Sequence, residues 1–462
     1  MQCGQKFFDM TNLLRVLVIS VSIVINPLPL WSQVAKPTQK QVHTLVEQAL
    51  TMKDAKLTVE LADSLLSQDA SDFQALLLLS LARTKLGQHK AAATAASRAY
   101  RAGQTSDEKL QAARIAGGAR FNAGQYTRAE WWLRRAANHA KTVDTSTIVQ
   151  QEFQAIRQQN PLSVRLGLSV APSNNINGGS EEEFFYLDNF KFIFSPNNRA
   201  LSGVEYSGDI ELSYRISKSQ NQTTSIGAYL YGRTYSLSSE SQATVPDISG
   251  SDYALTLAEV SLNHRRILID GLGPTGASVH TGQIWYGGNP LWRYNRLALS
   301  QGFLINQRSS AMIRTFVEKQ DALDNIQPDT TVYDIQGIYA RRLANQDIVQ
   351  LSLGCRFNDA VEETYTYTDC RTSINYNLDK PVFDTRLSFA FGVGHKNYDE
   401  FSLSLDGRKD NYVKVGATAV FEKISYFGFS PSFSITASRT VSNVTRFSNL
   451  ELQGKFSIQS NF

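Results

Sequence analysis

From residue 162 onward, apolar residues repeatedly fall on every second position of the chain. In the first such segment the apolar set is Leu162, Val164, Leu166, Leu168 and Val170, and the polar or small set is Ser163, Arg165, Gly167 and Ser169. Strict alternation is the period of a β-strand. An arginine in the middle of the second set indicates that this face lines a polar interior and not a dry core.

The alternating pattern recurs in fourteen segments, which start near residues 162, 202, 223, 253, 276, 293, 311, 331, 348, 368, 382, 411, 426 and 449. The segments run for about ten residues, enough to cross a bilayer when tilted, whereas strands of soluble proteins are usually five or six residues long. The mean hydropathy of −0.26 agrees with strands that have only one apolar face. Residues 159–462 are therefore predicted to form a 14-stranded antiparallel transmembrane β-barrel.

The connections between these segments alternate in length. The even-numbered ones are short, as in "SKSQNQ", "NQRSS", "LANQD", "LDKPV" and "KIS", whereas most odd-numbered ones are long. Short turns on one side and long loops on the other are typical of outer-membrane barrels. Two connections depart from the pattern, the long one at 266–275 and the short "YGGNPLW" at 286–292.

The last predicted strand, "LELQGKFSIQSNF", places Phe456, Ile458 and Phe462 on its apolar face. It resembles the terminal signal by which the barrel-assembly machinery recognises its clients.

Residues 36–158 read as helix and contain a repeat with an offset of 37 residues. "TKLGQHKAAATAASRAY" aligns with "FNAGQYTRAEWWLRRAA", so that small or aromatic residues recur: Gly87, Ala92 and Ala99 in the first unit, and Gly124, Tyr126, Ala129 and Ala136 in the second. The pattern resembles the tetratricopeptide repeat, with a third, degenerate unit ending at 59–70. Such units stack into a solenoid that typically holds a partner segment, and the alternative is a plain helical spacer.

The first 35 residues have the features of a secretory signal. Lys6 and Arg15 precede and flank the ten-residue apolar core Val16–Ile25, and a small residue follows at Ala35. After cleavage, we expect an outer-membrane protein whose helical domain lies in the periplasm. That domain (36–160) has 17 basic and 11 acidic residues, which suits an acidic client or an ordinary solvated surface equally well.

Cys355 and Cys370 share the apolar face of neighbouring predicted strands, at equal distances from the connection between them. Export to an oxidising compartment allows a cross-strand disulfide, and two separate thiols are the alternative.

The sequence contains no nucleophile elbow, phosphate loop, dinucleotide fingerprint or zinc motif. His264, His280 and His395 lie near strands or strand ends without a partnered serine at identifiable spacing. We therefore expect no enzyme activity, catalytic residues, metal or cofactor, and no nucleic-acid binding.

Two motifs resemble the surface lipoprotein assembly modulator (Slam) family. "NPLSVRLGLSVAPSNNINGG" is similar to the entry of that family's barrel, with Pro172, Asn174, Asn175 and Asn177 in its "P-x-x-N-x-N" element, and "QIWYGGNP" contains Trp285, Tyr286, Gly287 and Gly288. The resemblance implies a translocon that moves a surface lipoprotein, or a related secreted protein, across the outer membrane. These residues would then contact the client or gate the pore. The alternative for the first motif is a loop turn. The alternative for the second motif is an aromatic girdle residue followed by a tight turn.

The expected partners are an exported lipoprotein or small secreted client, periplasmic chaperones, the barrel-assembly machinery and outer-membrane lipids, for a protein that acts as a monomer. Two other functions stay open. Exopolysaccharide export is compatible with the predicted inward charges Glu205, Asp209, Glu211, Arg215, Asp384 and Arg386. A passive scaffold that docks periplasmic partners is the third.

Overall fold

The computed structural model describes residues 38–187, 190–269, 271–324, 326–424 and 429–460. The predicted signal segment and Phe462 lie outside the described residues. Seven helices come first: α1 Gln39–Thr51, α2 Ala55–Gln68, α3 Phe73–Lys85, α4 His89–Ala102, α5 Ser106–Asn122, α6 Tyr126–Ala137 and α7 Val143–Gln159. None of the described helices has the length and apolarity needed to cross a bilayer.

Successive helices pack as antiparallel pairs, and α3 contacts both α1 and α5. Side-chain caps begin several of them: Asp54 accepts a hydrogen bond from the Leu57 N–H (3.0 Å), and Asp72 from the Ala75 N–H (3.0 Å). The degenerate unit predicted to end at 59–70 corresponds to α2, and α1 supplies the first helix of that pair. The result is a tetratricopeptide-type solenoid.

The strands of the second half are β1 Leu162–Ser173, β2 Phe184–Leu187, β3 Phe190–Ile193, β4 Gly203–Lys218, β5 Gln222–Leu237, β6 Leu255–Arg266, β7 Thr275–Tyr286, β8 Asn289–Asn306, β9 Ser309–Ala322, β10 Thr330–Arg342, β11 Ile348–Ala360, β12 Tyr367–Asn377, β13 Thr385–Tyr398, β14 Arg408–Phe421, β15 Phe429–Ser442 and β16 Asn449–Ser460. A short helix, α8 (Ser239–Thr244), lies between β5 and β6. Strands β2 and β3 form a separate hairpin, and the other fourteen form one closed antiparallel barrel. The fold predicted from the sequence is confirmed.

Every barrel strand exposes large apolar side chains on its outer face. Members of this lipid-facing belt, one from each barrel strand in chain order, are Leu168, Ile210, Leu230, Val260, Val279, Leu299, Ile313, Ile335, Leu353, Ile374, Phe391, Val415, Ile435 and Phe456. A continuous apolar band around a closed sheet is far larger than the patches that soluble proteins expose. It is the surface that a bilayer covers in barrels of the outer-membrane type.

The two ends of the barrel differ. We call the end next to the helical domain the near mouth and the opposite end the far mouth. At the near mouth, where α7 leads into β1, the connections are mostly short, such as 219–221 between β4 and β5 and 307–308 between β8 and β9. At the far mouth the connections 174–202 and 238–254 are long. The long 266–275 connection stays an exception at the near mouth.

Most predicted strand starts differ from the observed ones by up to four residues, and two of these differences have a cause in the backbone. The predicted start near 293 is Asn289, because Gly287 (φ 56°) and Gly288 (φ 82°) make a two-residue hairpin turn that only positive φ values allow. The predicted start near 382 is Thr385. Phe383 (φ 50°) and Asp384 (φ 60°) lie in the preceding turn, so Asp384 is not an inward strand residue.

Cys355 of β11 and Cys370 of β12 are directly paired in the sheet, with their Cα atoms 4.1 Å apart, and form a disulfide. Of the two states that the sequence left open, the structure contains the bonded one.

We predict that the mature chain, unfolded without reductant, shows no thiol in the Ellman reaction and two after reduction, because residues 1–35 hold the only other cysteine. Cys355→Ser should expose one thiol under the same unreduced conditions and serves as the positive control. Two reactive thiols in the unreduced wild-type protein would contradict the disulfide.

Candidate functional site

The first part of the candidate site is the face of the solenoid formed by α1, α3, α5 and α7. Polar side chains bridge these alternate helices: Gln74 donates to Glu47 (2.9 Å), and Arg114 forms an ion pair with Glu152 (2.5 Å). The face therefore presents a row of polar groups of both charges.

The repeat residues build this scaffold. Gly87 (φ 73°) and Gly124 (φ 72°) end α3 and α5 in a conformation that favours glycine. Four alanines are fully buried between the helices: Ala92, Ala99, Ala129 and Ala136. Tyr126 packs edge-on against Phe121, with ring centroids 5.5 Å apart. The four alanines and Tyr126 thus lie in helix contacts, whereas Gly87 and Gly124 end helices and an added Cβ there would meet no atom within 4 Å.

The second part of the site is the junction between the solenoid and the barrel, which centres on Asn160. This buried amide donates from Nδ2 to Glu130 of α6 (2.8 Å) and to the Thr127 hydroxyl (3.3 Å). Its Oδ1 accepts a hydrogen bond from the Leu162 N–H (3.1 Å). One side chain therefore joins α6 to the first residue of the barrel.

Three arginines strengthen the junction. Arg215 of β4 donates to the carbonyls of Gln158 (2.9 Å) and Gln159 (3.1 Å), which are left unpaired at the C-terminus of α7. Arg157 donates to the Leu162 carbonyl (3.2 Å) and to the Ser163 hydroxyl.

Arg134 of α6 lies 5.1 Å from the ring centroid of Phe429 at the start of β15. Burial lowers the pKa of the Arg134 guanidinium, and nearby Glu130 acts in the opposite direction; an arginine stays charged at neutral pH. The solenoid is thus attached to an arc of the ring that contains β4, β1, β16 and β15.

The third part is the barrel lumen, whose wall is polar and cross-linked by charge pairs. Arg296 binds Glu318 (2.5 Å), and Asp334 accepts from both Arg356 (3.2 Å) and Arg371 (2.7 Å). The first pair joins β8 to β9, and the other two join β10 to β11 and β12. A cavity of about 710 Å³ opens beside them, so the wall is ordered but the lumen is not filled by it.

His280 lies between a serine and a carboxylate on the lumen wall. One ring nitrogen contacts the Ser278 hydroxyl (2.9 Å) and the other contacts Glu259 (2.8 Å), which also accepts from the Tyr294 hydroxyl (2.7 Å). This row resembles a catalytic triad in connectivity. However, β7 pairs with β6 and β8 along its length, so its N–H groups serve the sheet and do not form an oxyanion hole.

The other two candidate histidines bond to neighbouring strands. His264 contacts the Thr224 hydroxyl (2.9 Å), and His395 contacts Asn411 (2.9 Å). The three histidines lie on separate strands; His264 and His280 both line the cavity of about 710 Å³, and His395 does not.

The asparagines of the first motif bond mainly to backbone groups of the far-mouth loop. Asn175 and Gly179 exchange two hydrogen bonds (2.9 Å each), and Asn177 donates to the Arg199 carbonyl (2.8 Å) while accepting from the Leu201 N–H (2.9 Å). Asn174 reaches the last strand: its side chain accepts from the Leu452 N–H (2.6 Å). In this conformation the three amides hold the loop in place.

The second motif lies at the far mouth and forms the turn described above. Tyr286 is 40% exposed, and a β-bulge lies between Ile284 and Trp285. A Cβ on Gly287 would lie 2.9 Å from the Asp252 carbonyl oxygen, so the turn packs tightly against the neighbouring loop. The structure does not bring this motif together with the asparagine motif through any hydrogen bond among the described residues.

In the last strand, Phe456 and Ile458 are exposed on the lipid-facing belt at 58% and 48%. Both therefore lie on the apolar face of the strand, as the alternation in the sequence predicts.

Comparisons with known proteins add remote likenesses. No protein-family model matches the chain, and no curated protein matches it. The Yersinia enterocolitica type III secretion translocator chaperone SycD is 18% identical over 28% of this chain and 88% of its own, with a TM-score of 0.25.

Two further solved structures are similar over most of the barrel half of the chain. A bacterial polysaccharide outer membrane secretin is 10% identical over 64% of this chain and 98% of its own, with a TM-score of 0.34. Acinetobacter baumannii OccAB4 is 9% identical over 66% of this chain and 98% of its own, with a TM-score of 0.33. Likenesses this remote say nothing about function. From the structure itself, the chain is a tetratricopeptide-type solenoid followed by a 14-stranded barrel of the outer-membrane type.

The contacts of the junction and the pairing of the lumen charges could not be predicted from the sequence. Asn160 belongs to the first motif, and an Asn-Pro step between a helix and a strand is a recognisable turn signal. The partners of Asn160 in α6 are 30 and 33 residues away, and no local pattern identifies them.

We predict that Asn160→Ala loosens the junction and accelerates trypsin cleavage after Arg157, because Glu130 and the Leu162 N–H lose their shared partner. The cost should be about 1–3 kcal/mol, the usual penalty for unpaired buried polar groups. Cleavage of the full-length protein in detergent, followed on a gel, measures the effect. Gln158→Ala is the control, since the side chain of Gln158 is exposed; equal rates in wild type and Asn160→Ala would refute this role.

Proposed function

We propose that this protein is an outer-membrane translocon. In this proposal the solenoid receives a client protein in the periplasm, and the barrel passes it to the cell surface. The observation that carries the proposal is the junction at Asn160, which fixes a segment-binding type of domain to the mouth of a barrel with a polar lumen.

The direction of transport follows from the two mouths. Outer-membrane barrels turn short connections toward the periplasm and long loops outward. The near mouth has the shorter connections and the solenoid, which is why we assign it to the periplasm. The signal segment predicted for residues 1–35 supplies the export route, and the resemblance to surface lipoprotein assembly modulators supports the same orientation.

The size of the ring favours a narrow client. Eight-stranded barrels are filled by their own side chains, whereas porins of 16–18 strands have an open aqueous channel. Fourteen strands lie between these limits. The proposal is therefore that the client crosses as an unfolded or partly threaded chain, delivered from chaperones through the polar face of the solenoid.

Exopolysaccharide export is the second candidate. The inward carboxylates of β4, Glu205, Asp209 and Glu211, and the charge-paired wall of β8 to β12 would also suit a hydrated polymer. The proposal assigns no catalytic step, cofactor or metal to either function.

Surface display of a client tests the proposal. The gene is expressed in a Gram-negative laboratory host together with each exported lipoprotein or small secreted protein encoded beside it. Antibody binding and protease shaving of intact cells then report the client outside. We expect display with the full-length protein and its loss when residues 36–158 are deleted, while the barrel of both forms still shows the heat-dependent gel shift of an inserted barrel.

The control is the same client without the barrel, which should stay inside. If no client reaches the surface although the barrel is inserted, the protein-export proposal fails. A capsule or secreted glycan that depends on the barrel would then identify the polysaccharide function.

A further inference from the structure

One circumferential row of the lumen wall contains arginines without a carboxylate. The register of seven consecutive strands, β6 to β12, places these residues side by side: Arg265, Gly276, Ser300, Arg314, Gln336, Gly354 and Arg371. Two small or neutral residues separate each arginine from the next. We call Arg265, Arg314 and Arg371 the arginine row.

The arginine row leads from the near mouth into the lumen. Arg265 is one residue from the near-mouth end of β6 at Arg266. Arg314 is five residues from the near-mouth end of β9 at Ser309, and Arg371 is six residues from that of β12 at Asn377. Because the strands of a closed barrel are tilted and staggered, a row that follows the register climbs as it passes around the wall.

The positive charge of the row is only partly balanced. Among the described residues Arg265 forms no ion pair, and the Arg314 guanidinium binds the neutral amide of Gln336 (2.8 Å). Arg371 shares the single carboxylate of Asp334 with Arg356. Arg265 and Arg314 are both exposed to the lumen, so their guanidinium groups are accessible to a passing anion.

Small residues between the arginines leave room for a ligand. Gly276 and Ser300 are paired, and Ser278 and Ala298 are paired in the next row. All four line the cavity of about 710 Å³, together with all three arginines of the row. Asp334 is the only carboxylate among the described residues that line this cavity.

The aromatic content of the cavity argues against a sugar ligand. Phe316 is the only Phe, Tyr or Trp among the described residues that line it. The guanidinium carbons of Arg296 (5.0 Å) and Arg356 (5.8 Å) lie over the Phe316 ring. Two guanidinium groups thus already contact this ring, and guanidinium groups match carboxylates in shape and charge.

We propose that the arginine row binds an acidic peptide segment of the client and guides it from the near mouth into the lumen. This inference rests on the proposed function. Neighbouring arginines are three strands apart, about 14 Å at the usual strand spacing. An extended chain covers this distance in about four residues, so carboxylates spaced about four residues apart fit the row best.

Dye-labelled hexaglutamate tests the inference by fluorescence anisotropy with the full-length protein in detergent. We expect binding that weakens as salt is added. Arg314→Gln should weaken it on the order of tenfold, since one charge-assisted hydrogen-bonding group is lost, and Arg265→Gln together with Arg314→Gln should weaken it further. Arg165→Gln is the matched control: it also removes a lumen arginine, but one that is paired with Glu211 (2.8 Å) away from the row.

Circular dichroism and the heat-dependent gel shift confirm that each variant is folded. The inference is overturned if hexalysine binds as well as hexaglutamate, if no hexaglutamate binds, or if Arg314→Gln equals Arg165→Gln. Binding of hexagalacturonate without hexaglutamate also overturns it, in favour of an acidic glycan. Because client display is measured separately, display that continues while hexaglutamate fails to bind refutes the arginine row and leaves the translocon intact.

Discussion

The barrel depends on the closure between its first and last strands. In a bilayer each unpaired backbone group costs several kcal/mol, so a sheet must have no free edge. Here β1 pairs with β16 from Leu168 opposite Ile458 to Ser173 opposite Gln453. Asn174 extends the pairing beyond the strand, because its side chain bonds to the Leu452 N–H and the Leu450 carbonyl. The closed ring fixes which faces are turned to lipid and to the lumen.

Closure also explains where the solenoid is attached. The chain enters the ring at β1, and the junction contacts reach β4 and β15 on either side of the closure. The solenoid is held by side chains of both domains and not by the connecting peptide alone. The proposed delivery of a client segment relies on this attachment of the solenoid to the mouth of the barrel.

Much of the fold could be predicted from two periodic patterns: the 37-residue repeat of the helical half and the alternation of apolar residues in the strands. Alternation with a period of two identified fourteen strands, with starts within four residues of those observed, since lipid on one side and water on the other act on every strand alike. The turn at Gly287 was harder, because two glycines allow a connection shorter than the pattern of loops suggests.

The site was less predictable. Local sequence reveals that Arg314 faces the lumen, but not that Arg265 and Arg371 lie in the same row. That fact depends on the register of seven strands, which turns and bulges set. In the same way Asn160 and Glu130 meet only after α6 and α7 have packed. The asparagine motif was visible, but its role in holding a loop came from hydrogen bonds to distant backbone groups.

Site-specific photo-crosslinking during export tests the central claim, that a client passes through the lumen. Gln336 and Ile335 are adjacent on β10; Gln336 lies between two arginines of the row, and Ile335 is 56% exposed on the lipid-facing belt. A photoreactive residue at position 336 should capture the client, and one at position 335 should not. Capture at both positions alike, or only at 335, would contradict passage through the barrel.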